Sequence, residues 1–203
     1  MLQIVLATHN RGKMREMADI LGHLPIKLLT LEDFPEIGDI PEPGDTLKEN
    51  AFIKAETVYR LTGLPALADD TGLEVDALNG EPGVHSSRYS GENATFDDNC
   101  RKMLSELDGL SLTDRTARFR TVVAFVTADE KTWTEGVVEG TILDHKKGDG
   151  GFGYDPIFYY PPLQKTFAEL EKVEKNSVSH RGKALRNFCG ILEKRININS
   201  SQT

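Results

Sequence analysis

Cysteine is scarce in this chain: Cys100 and Cys189 are the two in 203 residues, far apart and each inside an apolar helical pattern. A disulfide framework and a thiolate zinc site are therefore not expected, and the usage fits a reducing compartment. Long apolar runs are also missing. No stretch approaches the ~20 residues of a membrane span. The first eight residues join no basic segment to their short apolar run, so no signal peptide is expected and the cytoplasm is the expected location. Basic residues are in deficit, 24 Lys and Arg against 32 Asp and Glu, for a net charge of -8. A protein whose main partner is a polyphosphate backbone usually carries a basic excess, so a nucleic acid polymer is disfavoured. A small phosphorylated ligand stays compatible, because a few convergent cations reverse the potential locally. There is no H-E-x-x-H and no G-x-S-x-G, and the five histidines lack metal-ligand spacing, which leaves a zinc hydrolase or a Ser-His-Asp enzyme unsupported.

What is present suits one globular unit spanning residues 1–203. The chain is 38% hydrophobic and 28% charged, ordinary values for a folded protein. Its length allows well over half of the unfolded surface to be buried. Ile4, Val5, Leu6 and Ala7 read as a buried strand, followed by a helix with Met14, Met17, Ala18 and Leu21 inward and Gly22 as its stop. Thr46 and Glu49 have capping-box spacing and open a second helix through Phe52, Ala55 and Tyr59 to Gly63. Residues 65–68 then form a short strand. A third helix places Cys100, Met103, Leu104 and Leu107 on one stripe, and a last one runs from about Ser179 with Ala184, Leu185, Phe188, Ile191 and Leu192 inward. Between them, Ala117, Phe119, Thr121, Val123 and Phe125 alternate with Arg118 and Arg120, and a β-rich run over 132–143 follows, so a long antiparallel pair is expected. The order predicts an α/β protein with a mixed central sheet and flanking helices. Residues 197–203 are polar and aperiodic, and a frayed tail is expected there.

Two motifs fail on inspection. Gly148, Gly150 and Gly153 satisfy G-x-G-x-x-G, but Pro156 and the aromatic run after it prevent the helix that a dinucleotide site needs. Gly12-Lys13 follows a strand as in a P-loop, yet Ala7 replaces the first glycine and Met14 the metal-binding hydroxyl. The loop still offers amides and a helix N-terminus to an anion, and Lys13 in the first turn opposes the helix dipole, as a ligand-binding cation would. A solvated lysine is the plain alternative.

Three features survive. Asp69 and Asp70 end an apolar strand ahead of an expected turn at Thr71-Gly72, at the kind of strand end where open α/β sheets bind ligands. A divalent cation would relieve their repulsion, with Glu42 as a further ligand and Glu49 and Glu74 as possible additions; equally, Asp70 could cap a turn. The segment Gly150-Gly151-Phe152-Gly153-Tyr154-Asp155-Pro156 permits close backbone approach to a flat ligand, on which Phe152 or Tyr154 could stack. Lys175 with Ser179-His180-Arg181 places cations at a helix start, where dipole logic favours acids. Together these describe a magnesium nucleotide site.

The ordered set of motifs resembles the Ham1-like, or inosine triphosphate pyrophosphatase, family over nearly the whole chain. The matching segments include Leu6-Ala7-Thr8-His9-Asn10-Arg11-Gly12-Lys13, Glu42-Pro43-Gly44-Asp45-Thr46, Ala68-Asp69-Asp70-Thr71-Gly72-Leu73, Ser87-Arg88-Tyr89-Ser90-Gly91, residues 150–156 and Ser179-His180-Arg181. The resemblance implies a two-lobed α/β fold with the active cleft between lobes, a homodimer, and Mg2+-dependent hydrolysis of non-canonical purine triphosphates (ITP, dITP, XTP) to monophosphate and pyrophosphate. Carried over by motif, Thr8, His9, Asn10, Arg11, Gly12 and Lys13 would hold the phosphates. Asp70 would be the general base and, with Glu42, the metal ligand, assisted by Asp69. Thr71 stands where the family usually has serine and keeps the hydroxyl. Phe152, Gly153, Tyr154, Asp155, Lys175, His180 and Arg181 would form the purine pocket. The rival readings are a Maf-type pyrophosphatase for modified nucleotides and a regulator that binds ITP or XTP without cleaving it.

Overall fold

A computed structural model describes the backbone of residues 1–200 and the side chains as far as Arg195. Among the described residues there are eight strands and five α-helices: β1 (Leu2–Leu6), α1 (Arg11–Leu21), β2 (Ile26–Thr30), α2 (Leu47–Thr62), β3 (Ala66–Val75), β4 (Pro82–Gly83), α3 (Phe96–Glu106), β5 (Thr116–Val126), β6 (Lys131–Ile142), β7 (Phe158–Tyr160), β8 (Lys165–Thr166), α4 (Lys172–Val178) and α5 (His180–Ser200). The strands form one sheet in the order β2-β1-β3-β5-β6-β7-β8, with β4 paired to β3. β1 runs parallel to β2 and β3, whereas β3–β4, β6–β7 and β7–β8 are antiparallel, so the sheet is mixed as expected. The short connection between β5 and β6 permits an antiparallel pair alone.

The chain divides into two compact units, one of residues 1–70, 121–136 and 180–203, the other of 71–120 and 137–179. Each has its own core. In the first, Ile4, Leu6, Leu67, Val123 and Phe125 from strands meet Met17 and Leu21 of α1 and Leu185, Phe188 and Leu192 of α5. In the second, Leu73, Val75, Phe119, Val138, Ile142 and Phe158 meet Cys100 and Met103 of α3 and Leu107 at its C-cap, with Phe158 set 4.5 Å from Phe119 and 4.9 Å from Phe167 between ring centroids. Both cysteines are core residues, as their helical patterns predict.

Helix ends follow local chemistry. The Thr46–Glu49 capping box of α2 is formed, and Gly63 closes that helix at φ +67°, a left-handed conformation that suits glycine. Other expectations need correction. β3 is ten residues long: it does not end at residue 68, and Thr71-Gly72 lies inside it, because Leu73 and Val75 continue inward into the second core. In α1 it is Glu16, Met17 and Leu21 that are buried, while Ala18 faces solvent. Lys175 belongs to a separate short helix, α4, because Ser179 breaks to an extended conformation before α5 begins. α5 is helical to Ser200; the rest of the expected 197–203 tail lies outside the described residues. No helix among the described residues is long and apolar enough to cross a membrane.

Candidate active site

β1 pairs with β3 in the register Leu6↔Leu67 and then ends, so the chain turns toward α1 at the level where β3 carries Asp69 and Asp70. The turn is internally braced. Asn10 caps α1 by accepting the Lys13 N–H at 3.1 Å, its own N–H donates to Thr8 Oγ1 at 3.1 Å, and His9 Nε2 lies 3.2 Å from the Gly38 carbonyl. Arg11 points outward, 3.8 Å from Glu32. The N–H groups of Arg11 and Gly12 open the helix and have no intrahelical acceptor by geometry.

Lys13 reaches back to β3, with its Nζ 3.3 Å from Asp69 Oδ2. The same oxygen accepts from Arg181 Nε at 3.0 Å, and Arg181 Nη1 is paired with Glu16. Arg181 is held in this buried position by β6. Gly136 lets the first turn of α5 approach so closely that a Cβ there would stand 2.1 Å from the His180 carbonyl oxygen, and Thr134 Oγ1 donates to the Ala184 carbonyl at 2.8 Å. Burial alone raises a carboxyl pKa, but Lys13 and Arg181 outweigh it and hold Asp69 well below the usual carboxylate range. Lys13 is itself lowered, first by burial; the attraction of Asp69 does not offset this because Lys54 and Arg181 add like charge.

Asp70 has a different neighbourhood. Its Oδ1 accepts from Lys54 Nζ at 3.2 Å, and the same ammonium donates to Glu42 Oε2 at 2.6 Å. The other oxygen, Asp70 Oδ2, is buried without a hydrogen-bond partner. Burial raises the Asp70 pKa, and Glu42 and Asp69 add to it against the pull of Lys54 and Lys13. Burial disfavours the Lys54 ammonium, but Asp70 and Glu42 prevail and raise its pKa. The Glu42 loop is fixed by Asn50 of α2, which accepts from Gly44 N at 2.7 Å and donates to Gly44 O at 3.3 Å; a Cβ on Gly44 would collide with Asn50 Oδ1. Glu49 spends its carboxylate on the α2 cap, and Glu74 is paired with Arg120 and Arg118, so neither extends the Glu42–Asp70 pair.

Among the described residues, no group of three or more His, Cys, Asp or Glu side chains is arranged around a metal position. The two carboxylates and the unpartnered buried oxygen nonetheless fit a hard cation such as Mg2+, which takes one or two protein carboxylates and leaves its other positions to water and phosphate.

In the second unit, Asp155 organises the glycine-rich loop. Its Oδ2 accepts from Phe152 N at 2.8 Å and from Lys175 Nζ at 2.6 Å, while the ammonium lies 4.7 Å from the Phe152 ring centroid. Gly151, at φ +73°, packs where any Cβ would fall 2.1 Å from that carboxylate. No helix follows the loop, consistent with rejection of the dinucleotide motif. Tyr154 is 4% exposed and donates its hydroxyl to the Ser86 carbonyl at 2.8 Å, so it is a core strut, and the half-buried Phe152 is the ring suited to stacking. Ser86 Oγ accepts from Leu73 N at 2.8 Å, tying the loop to β3 two residues beyond Thr71.

The model of the Ham1 family matches residues 4–191. The chain belongs to this family. It is 52% identical over 186 residues to a dITP/XTP pyrophosphatase of Geobacter sulfurreducens, covering 91% of this chain and 94% of that one. Among solved structures, a HAM1 protein from Coxiella burnetii superposes with a TM-score of 0.87 at 46% identity, covering 96% of this chain and all of that one. The Ham1 protein of Staphylococcus aureus gives 0.85 at 40% identity, with 95% and 99% covered. Within this Ham1 chain the sequence reading passes over Lys54, Glu16 and Ser86. A signal existed for Lys54: it shares the α2 face of Asn50, Ala51, Ala55 and Val58, and a lysine on an inward face needs a partner. Glu16 and Ser86 carry no comparable mark.

Proposed function

We propose that the protein is a nucleoside triphosphate pyrophosphatase that hydrolyses non-canonical purine nucleotides such as dITP, ITP and XTP to the monophosphate and pyrophosphate, with Mg2+ as its cation. The observation that carries this reading is the Glu42–Lys54–Asp70 arrangement, with Lys54 and Asp70 buried, beside Lys13–Asp69, in a chain half identical to a dITP/XTP pyrophosphatase.

Cleavage between the α and β phosphates needs positioning and charge neutralisation more than covalent chemistry. Lys13 and the leading amides of α1 take the phosphates. Asp70 accepts the proton of the attacking water, its Oδ2 being a buried oxygen that no protein donor occupies. Glu42 and Asp70 would hold the cation, which when bound would supply charge neutralisation for the phosphates and make water more acidic. Asp69, gripped by Arg181, fixes Lys13 in place. Phe152 stacks on the purine, Gly153 allows close backbone approach, and Tyr154, Asp155 and Lys175 brace the loop. The His180 region supplies donors that favour a 6-keto over a 6-amino purine. Arg181 acts indirectly, through Asp69. In this reading the enzyme is a cytoplasmic homodimer, and light scattering after size exclusion measures the assembly.

The decisive experiment is pyrophosphate release from dITP, ITP, XTP, ATP and GTP, each with Mg2+ and with EDTA. Release from the first three, weak release from ATP and GTP, and loss in EDTA are expected. No release from any of them would overturn the enzyme reading.

A further inference from the structure

Lys54 stands on the buried face of α2, 7% exposed, with Nζ 2.6 Å from Glu42 Oε2 and 3.2 Å from Asp70 Oδ1. One ammonium therefore bridges two carboxylates brought from separate segments. Two anions brought this close repel each other, and the ammonium placed between them offsets that repulsion. The oxygen that the lysine does not reach, Asp70 Oδ2, is buried and unpartnered.

We propose that Lys54 is an internal counterion that occupies Glu42 and Asp70 in the metal-free protein and has to be displaced before a divalent cation binds both. The proposal rests on the assignment of Glu42 and Asp70 as metal ligands made above. Lysine and metal compete for the same carboxylate charge, so each weakens the other by the same factor. The nucleotide-free enzyme then binds divalent cations poorly while its two carboxylates stay preorganised. Cation entry is favoured with the nucleotide, whose phosphates add the negative charge that a second cation requires.

The test is titration of the full-length, nucleotide-free protein with Mn2+, following free Mn2+ by electron paramagnetic resonance, for wild type, Lys54→Met and Lys54→Gln. The neutral variants are expected to bind Mn2+ roughly tenfold or more tightly than wild type. They should also melt at a lower temperature in EDTA, and rise further than wild type when Mn2+ is added. A merely structural lysine would lower the melting temperature and leave Mn2+ affinity no tighter; that result overturns the proposal. Lys54→Gln, which keeps a donor toward Glu42, is read if Lys54→Met does not fold. Glu42→Gln, measured with a non-hydrolysable dITP analogue, separates the two levels. If it weakens Mn2+ binding while the Lys54 variants bind no tighter than wild type, the counterion fails and the metal site stands. If it changes nothing, the metal assignment fails and the counterion falls with it.

Discussion

At the scale of residues, Asp69 and Asp70 are chain neighbours that the fold drives in opposite directions. Both are buried, which raises a carboxyl pKa; two cations reverse that for Asp69, while Asp70 also faces Glu42 and stays raised. A carboxylate lowered on folding adds stability that is fully present above its unfolded value of about 3.9 and is lost as pH falls through its folded value. Urea titrations of wild type and Asp69→Asn should thus differ by a constant amount from pH 7 to 5, with the gap closing below pH 4. Removing the partner charge leaves a buried carboxylate short of a cation, so Arg181→Met is expected to cost about 3–5 kcal/mol in the same measurement. For Asp70→Asn the expected effect is on turnover, with kcat falling by about a hundredfold or more and KM nearly unchanged in steady-state pyrophosphate release. A loss confined to KM would assign Asp70 to binding.

At the scale of elements, each side chain of the site is placed by a local device. The Thr46 cap starts α2 where Asn50 and Lys54 face inward, and Thr46→Ala is expected to lower stability by about 1 kcal/mol in urea melts. Gly136 is a stronger constraint. Its missing Cβ is the room that the first turn of α5 occupies, so Gly136→Ala should destabilise by roughly 1–3 kcal/mol and, by shifting Arg181, lower kcat as well. Much of this was legible beforehand. The Thr46–Glu49 spacing, the glycine stop at residue 63 and the alternation of β5 rest on interactions within a few residues. What misled was the length of β3: Thr71-Gly72 carries turn chemistry, and only pairing and burial on either side hold it extended.

At the scale of the whole molecule, the chain passes between its two compact units within β3, β5 and β6 and again between α4 and α5. Units threaded in this way are expected to unfold together, and the two cysteines test it. Cys189 lies in one core and Cys100 in the other, where burial pushes the thiol up to about 11. Neither thiol should react with a disulfide reagent in the native protein, and both should become reactive over the same range of urea. Reaction of one at lower urea would show separate unfolding. The net charge of -8 spoke against a polymer partner, and local motifs named the phosphate loop, the aspartate pair and the glycine-rich loop, because each is a run of neighbours whose chemistry is complete within a few residues. Partnership was decided by tertiary structure. Arg181 meets Asp69 from 112 residues away, and Lys54 stands between Glu42 and Asp70, because strand register and helix packing brought those atoms together and burial made pairing obligatory.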